Sequence, residues 1–272
     1  MKECWRLLAN DTFSGEFNMA LDEALLLCMN SHGGKPVLRF YGWSPTALSL
    51  GKYQKLDGIN FNYLSEQTID LVRRPTGGRA ILHDNELTYA VIVPSTSLLY
   101  GSLAQIYNNV SSVIMAGLST IGAQFDQPQN STGTSMEQHF NTNSDACFGT
   151  RMGYELLCGG VKITAGAQRR MRHASLQHGS IPLVMDKDRY LDCFLWREVS
   201  ARKSAEGLIG SLQDSLGWTV TSIDVSIALI EAFERINKIE FEESMPSSIE
   251  LEIAAEIIKR KQGEWPCINT SG

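Results

Sequence analysis

Leu71-Val72-Arg73-Arg74-Pro75-Thr76-Gly77-Gly78-Arg79-Ala80-Ile81-Leu82-His83-Asp84 is two short apolar runs hinged on a proline and a glycine pair. Leu71 to Arg74 and Ala80 to His83 read as strands, and Pro75 with Gly77-Gly78 reads as the turn between them. The glycines let backbone N–H groups come close to a ligand. Two readings fit this stretch: a loop that holds an acyl chain or an acyl-phosphate, and a plain glycine turn with two solvated arginines. It is not a nucleotide loop of the G-x-x-x-x-G-K-[ST] kind, and the dinucleotide pattern G-x-G-x-x-G is missing as well.

Working outward, Val37 to Tyr41, Thr46 to Leu50 and Leu87 to Val93 read as further strands, separated by Gly42 with Pro45, Gly51, and Asp84-Asn85. Upstream, Phe17, Ala20, Leu21, Ala24, Leu25 and Cys28 recur at helical spacing, which predicts a helix over Glu16 to Asn30 stopped by Gly33-Gly34. Downstream, a helix is expected over roughly Leu103 to Ile121. A polar stretch, Gln127 to Asp145, then leads straight to Cys147. Loops of that length inside a compact domain are usually functional or disordered. Tyr154 to Cys158 and Val161 to Thr164 flank Gly159-Gly160, a hairpin signal, and Ala174 to Leu183 reads as a strand. From Asp186 the pattern turns helical, with helices over Ser222 to Lys238 and Ser248 to Gln262; the latter opens on a capping-box spacing, Ser247 to Glu250. Strands first and helices last predicts an α+β fold, helices packed on a mixed sheet. Residues 1–272 are expected to form a single domain, the helices after about residue 186 packing on it, with no separate accessory domain.

The chain has 272 residues, 43% of them hydrophobic, so a core of normal size can form. A formal net charge of -6 argues against broad nucleic-acid binding, which needs a basic face. No apolar run nears the ~18–20 residues of a membrane helix, and MKECWRLLAND is too polar for a signal peptide. The six cysteines show neither a CxxC pair nor a framework spacing, so they read as free thiols of a cytoplasmic protein, with no metal site.

Cys147 is either a nucleophile or a small apolar residue, and buried inert cysteines are the commoner case. What bears on the choice is Leu156 to Met185, a window with Lys162, Arg169, Arg170 and Arg172 and no acidic residue. A positive field favours a thiolate and attracts acidic partners; a basic hairpin face with no catalytic meaning is the other reading. His178, in Gln177-His178-Gly179-Ser180, is a minor candidate, since mid-strand histidines are more often satisfied core residues.

These segments resemble the lipoate–biotin protein ligase superfamily. The resemblance rests on Arg73 to Ala80, His83-Asp84 and Glu86-Leu87-Thr88-Tyr89, then Cys147-Phe148, Gly160-Val161-Lys162, Gln168 and Leu176 to Ile181, in that order, with Asn18-Met19-Ala20, Asp22-Glu23 and Gln54 upstream. It covers roughly Trp5 to Trp196 and is nearest to the octanoyltransferase branch that uses a cysteine. One departure stands out: the family usually reads Lys-x-x-Gly-Ser-Ala-Gln where this chain has Lys162-Ile163-Thr164-Ala165-Gly166-Ala167-Gln168, without the serine.

The resemblance implies a biotin/lipoate ligase-type catalytic fold. It implies octanoyl-acyl carrier protein as donor and, as acceptor, a lysine of the lipoyl domains of 2-oxoacid dehydrogenases or of the glycine-cleavage H protein. Cys147 and Lys162 are then catalytic. Arg74, Thr76, Gly77, Gly78, Arg79, His83, Gly166, Ala167 and Gln168 bind the acyl group. Arg169, Arg170 and Arg172 meet the acidic partners. No cofactor and no ATP are expected, since a thioester already carries the free energy of the amide. Competing readings are an ATP-dependent lipoate–protein ligase, which resembles this loop with a third glycine where Arg79 stands, and a non-catalytic acyl-binding relative; biotin ligation fits less well.

Overall fold

The computed structural model describes residues 2–126 and 156–262. Eleven strands and eight helices occur among them: β1 Glu3–Phe13, α1 Gly15–His32, β2 Val37–Trp43, β3 Ala47–Leu50, α2 Phe61–Glu66, β4 Asp70–Arg73, β5 Ile81–His83, β6 Glu86–Pro94, α3 Leu103–Thr120, β7 Leu157–Cys158, β8 Val161–Lys162, β9 Ala165–Arg170, β10 Ala174–Pro182, α4 Lys187–Asp192, α5 Val199–Glu206, α6 Leu212–Leu216, α7 Ser222–Asn237, β11 Ile239–Glu243 and α8 Ser248–Lys261. The α+β expectation is met. A six-stranded sheet runs in the order β11-β1-β2-β6-β10-β9, parallel where β1 meets β11 and β2 and antiparallel elsewhere. Beside it lies a three-stranded sheet, β4-β3-β5, and a small hairpin, β7-β8.

Side-chain alternation along the central strands builds two layers. On β2 and β6, Leu38, Phe40, Tyr89 and Val91 face one way and join Ile106, Val110 and Ile114 of α3 with Leu229 and Phe233 of α7. Val37, Tyr41, Ala90 and Ile92 face the other way, against Leu21, Leu25 and Leu26 of α1. Both faces are therefore covered, and β6 and β10 are buried along their whole length. Helix α8 covers the back of α1 through Ala20, Ala24, Ala254 and Ile257.

The helix ends follow capping chemistry. Ser14 caps α1 through the Phe17 N–H, and Gly33, with φ 68°, ends it by donating to the Met29 carbonyl. Ser247 and Glu250 form the expected capping box on α8, and Glu250 also takes Arg6 of β1 at 2.6 Å. At Gly159 and Gly160 both φ values are positive, 58° and 79°, as a two-residue hairpin demands. Asp126 accepts from both of these backbone N–H groups.

Three strands depart from the sequence reading. β1 and β9 occupy segments with no strand signal, and β11 returns between two helices to pair in parallel with β1, so strands do not simply precede helices. Across β6, β10 and β9, Tyr89, Gly179 and Gly166 lie in one register row. The tyrosine ring lies over both glycines: a Cβ at Gly179 would stand 2.6 Å from the phenol oxygen, and one at Gly166 3.2 Å from it.

Candidate active site

The arginine–glycine stretch is not a hairpin with solvated arginines. Arg74 is 4% exposed and grips the loop from inside. Its Nη1 donates to the Ser49 carbonyl at 2.9 Å and to Ser49 Oγ at 3.2 Å. Nε and Nη2 donate to the Gly77 carbonyl, and Nη2 to that of Arg79 at 2.6 Å. Arg73 performs the same service for the neighbouring turn, with Nη1 donating to the carbonyls of Gly51, Lys52 and Gln54. The two turns touch so closely that a Cβ at Gly51 would fall 1.8 Å from the Gly78 carbonyl oxygen, which only glycine allows.

Behind this loop lies a narrow cavity. Met19 of α1, Tyr41 and Trp43 of β2, Ser49, Arg74, Ile81 and His83 around the small sheet, Thr88 of β6, Ala165 and Ala167 of β9, and His178 to Ser180 of β10 line it. Many of these side chains are polar and buried, so each needs a hydrogen-bond partner. Two networks supply them.

The first converges on Asp22, which has no exposed surface. Arg39 Nη1 donates to it at 2.7 Å, Tyr41 Oη at 2.8 Å and His178 Nδ1 at 2.8 Å. His178 Nε2 in turn accepts from the Thr76 hydroxyl at 2.7 Å, tying the glycine loop to β10. Burial opposes ionisation of Asp22, yet the bonds from His178, Arg39 and Tyr41 hold its carboxyl below the usual range. Burial pushes the His178 imidazole down, against the pull of Asp22, and pushes the Tyr41 phenol well up. The result is a neutral histidine with its one proton on Nδ1.

The second network converges on Glu86. His83 Nδ1 donates to Oε1 at 2.7 Å, the Thr88 hydroxyl to the same oxygen and the Ser180 hydroxyl to Oε2. His83 Nε2 bonds Ser49 Oγ at 2.7 Å, and the indole of Trp43 donates to Thr88 Oγ1 at 2.7 Å. The His83 ring stacks on Trp43 with centroids 3.9 Å apart.

Of the residues singled out from sequence, Arg74, His83, Ala167 and the minor candidate His178 line the cavity. Thr76 stands one bond behind it, through His178, and Gly77, Gly78 and Arg79 form the loop that Arg74 holds. Gly166 and Gln168 point to the opposite face of β9, because successive side chains alternate; Gln168 bonds Gln177 there at 2.9 Å. Lys162 is buried on β8, outside the cavity lining, its N–H bound to the Leu208 carbonyl. Arg169 pairs with Glu23 at 2.8 Å, and Lys261 of α8 holds the other oxygen of that carboxylate. Arg170 lies over the Tyr100 ring and bonds the Gly101 carbonyl, while Arg172 is exposed. Cys147, with the polar stretch before it, lies outside the described residues.

Sequence reasoning assigned no role to Asp22, Arg39, Ser49 or Glu86, and reached Ser180 only as the end of Gln177-His178-Gly179-Ser180, a segment able to bring polar groups to a site. Asp22 and Glu86 fell inside quoted motifs, and an acidic residue within an otherwise apolar run was the only signal they offered.

Among the described residues, no helix is long and apolar enough to cross a membrane. The family model for the lipoyl protein ligase A/B catalytic domain matches residues 14–234. Octanoyltransferase LipM of Bacillus subtilis (strain 168) is 35% identical over 274 residues, covering 97% of this chain and 98% of that protein. Octanoyltransferase LipM of Macrococcus caseolyticus (strain JCSC5402) is 34% identical, with 97% and 99% covered. In three dimensions the chain is similar to a structure from an archaeal lipoylation system, a bi-partite lipoate protein ligase and its E2 lipoyl domain from Thermoplasma acidophilum, with a TM-score of 0.78 at 22% identity, covering 100% of this chain and 98% of that one. A family match across most of the chain, relatives alike from end to end, and a shared fold agree, and the chain belongs to the lipoyl protein ligase A/B catalytic domain family.

Proposed function

We propose that this protein moves an octanoyl group from acyl carrier protein, through a thioester on Cys147, to a lysine of a lipoyl domain or of the glycine-cleavage H protein. The activity is octanoyl transfer in lipoate biosynthesis, and the observation that carries it is the likeness to octanoyltransferases over 97% of the chain. The cavity behind the Arg74 loop is the proposed acyl site. Burying an alkyl chain there contributes ~0.8 kcal/mol per CH₂.

In the first step the Cys147 thiolate attacks the carbonyl carbon of the donor thioester; the bond to the carrier sulfur breaks and the carrier leaves as a thiolate. Lys162, as an ammonium donor, stabilises the oxyanion between; removing such a donor typically costs ~10²–10³ in rate. In the second step the neutral amine of the acceptor lysine attacks the Cys147 thioester. The C–S bond breaks, the thiolate returns and the nitrogen loses a proton. Thioester exchange is nearly thermoneutral and amide formation from a thioester is downhill, so ATP has no part. The exposed Arg170 and Arg172, with Arg169 beside them, favour acidic protein partners, and the proposed compartment is the cytoplasm.

Mass spectrometry after exposure to octanoyl-acyl carrier protein tests the reading: wild type gains about 126 Da on Cys147, the mass of one octanoyl group. Cys147→Ser gives a stable ester or no turnover, because an oxyester is a poorer acyl donor. Unchanged transfer by that variant overturns the role of Cys147. Efficient modification of an apo lipoyl domain with lipoate and ATP, and no carrier donor, overturns the transferase reading in favour of a ligase.

A further inference from the structure

The acyl cavity has a wall of unexpected chemistry. Ser49, His83, Thr88 and Ser180 line it, yet an alkyl chain gains nothing from hydroxyls or imidazoles and is repelled by polar groups that must give up water to meet it. The directions of the hydrogen bonds resolve this conflict.

Two members of the Glu86 network can only donate, the Arg74 guanidinium and the Trp43 indole, and the Glu86 carboxylate can only accept. The carboxylate can take only a hydrogen, so His83 Nδ1 donates to Glu86. In the neutral imidazole Nε2 is then an acceptor, and it takes the Ser49 hydrogen while Ser49 Oγ accepts from Arg74. Trp43 donates to Thr88 Oγ1, so the Thr88 hydrogen also goes to Glu86, and the Ser180 hydrogen goes to its other oxygen. Every hydroxyl hydrogen of this part of the wall is drawn into the wall, none toward the cavity.

We propose that Glu86 is a specificity-determining positioning residue: by drawing in these hydrogens it leaves this part of the wall, among the described residues, with no hydrogen to offer, so the wall accepts an all-carbon acyl tail and rejects one that carries a hydrogen-bond acceptor such as a ketone. This rests on the reading of the cavity as the acyl site. Glu86 acts through His83, Thr88 and Ser180, and does not itself line the cavity.

Replacing the carboxylate by an amide reverses the outcome. Glutamine offers one acceptor oxygen and one NH₂ to three donors. If its oxygen faces His83 and Thr88, the NH₂ meets Ser180, whose hydrogen must turn away. If the NH₂ faces His83, the imidazole proton moves to Nε2 and the Ser49 hydrogen is released. In either orientation at least one hydroxyl donor is freed.

The test is a competition between octanoyl thioester and a set of mono-oxo octanoyl thioesters with the ketone at carbon 5, 6 or 7, each compared as kcat/KM for wild type, Glu86→Gln and Glu86→Asp. Wild type is expected to disfavour every ketone by at least about tenfold, the cost of an unpaired buried carbonyl. Glu86→Gln brings at least one ratio to within about threefold of unity, while Glu86→Asp, still acceptor-only, keeps the discrimination. Equal use of octanoyl and ketone substrates by wild type overturns the proposal, as does a Glu86→Gln ratio unchanged for all three. Nitrogen NMR of wild-type His83 decides independently of how the variants fold: a proton on Nδ1 supports the assignment and one on Nε2 overturns it. If wild type transfers neither acyl group, the transferase reading falls. Equilibrium binding of the corresponding primary amides, with the same ratios expected, then still decides the role of Glu86.

Discussion

Asp22 and Glu86 are two buried carboxylates serving one cavity, and they do so on different terms. Asp22 sits on a helix and faces a permanent cation, Arg39, which also lies over the Tyr41 ring at 3.8 Å and donates to Asn18. It braces helix α1 against the sheet with a charge pair. Glu86 sits on a strand and collects hydrogens from an imidazole and two hydroxyls. In both, a carboxylate orders the hydrogens of its neighbours. The difference teaches that a buried acid paired with a cation is chiefly an anchor, whereas one fed by neutral donors chiefly sets the polarity of the surface in front of it.

The contrast breaks or sharpens under mutation. Asp22→Ala strands a buried guanidinium, so a loss of about 3–5 kcal/mol is expected in urea unfolding. Glu86→Ala leaves donors that can turn or find water, and about 1–3 kcal/mol is expected. The reverse order breaks the comparison. Acid provides a second handle. Because the folded-state pKa of His178 is lowered, the unfolded chain binds a proton there that the folded chain refuses once pH falls below about 6.5. Its contribution to stability is present above that pH and is lost as the pH falls toward the lowered value. A urea midpoint followed from pH 8 to 5 should drop on the acid side, and His178→Gln should flatten the drop; a midpoint that rises on acidification contradicts this. The smallest effect belongs to Thr76→Val, which removes one bond between loop and β10, about 1 kcal/mol. Its companion signature is a larger relative loss of acyl affinity than of stability, read by calorimetry.

Much of the scaffold was legible because its elements are long and strongly patterned. α1, α3, α7 and α8 lie within two residues of their expected limits, since periodicity and caps mark them. The three unpredicted strands lack that signal. Ala165–Arg170 has no β-branched or aromatic residue. Ile239–Glu243 carries three glutamates, which suit an edge strand but read as surface. Glu3–Phe13 mixes both faces without alternation. At the site, Arg74, Thr76 and His83 were reached through the family resemblance that the Arg73 to Ala80 loop carries; the glycine pattern alone fitted a plain turn equally well. The directions of the Ser49 and Ser180 hydroxyls were not legible: they depend on which acceptor each hydrogen reaches, across strands far apart in sequence.

The row Tyr89, Gly179 and Gly166 also bears on assembly of the sheet. A one-residue slip of β9 along β10 would bring Ala165 or Ala167 beneath the phenol and turn Gly166 and Gln168 inward. With no room for a Cβ at Gly179 and only 3.2 Å for one at Gly166, the ring thus works as a gauge that penalises a slipped register of the sheet.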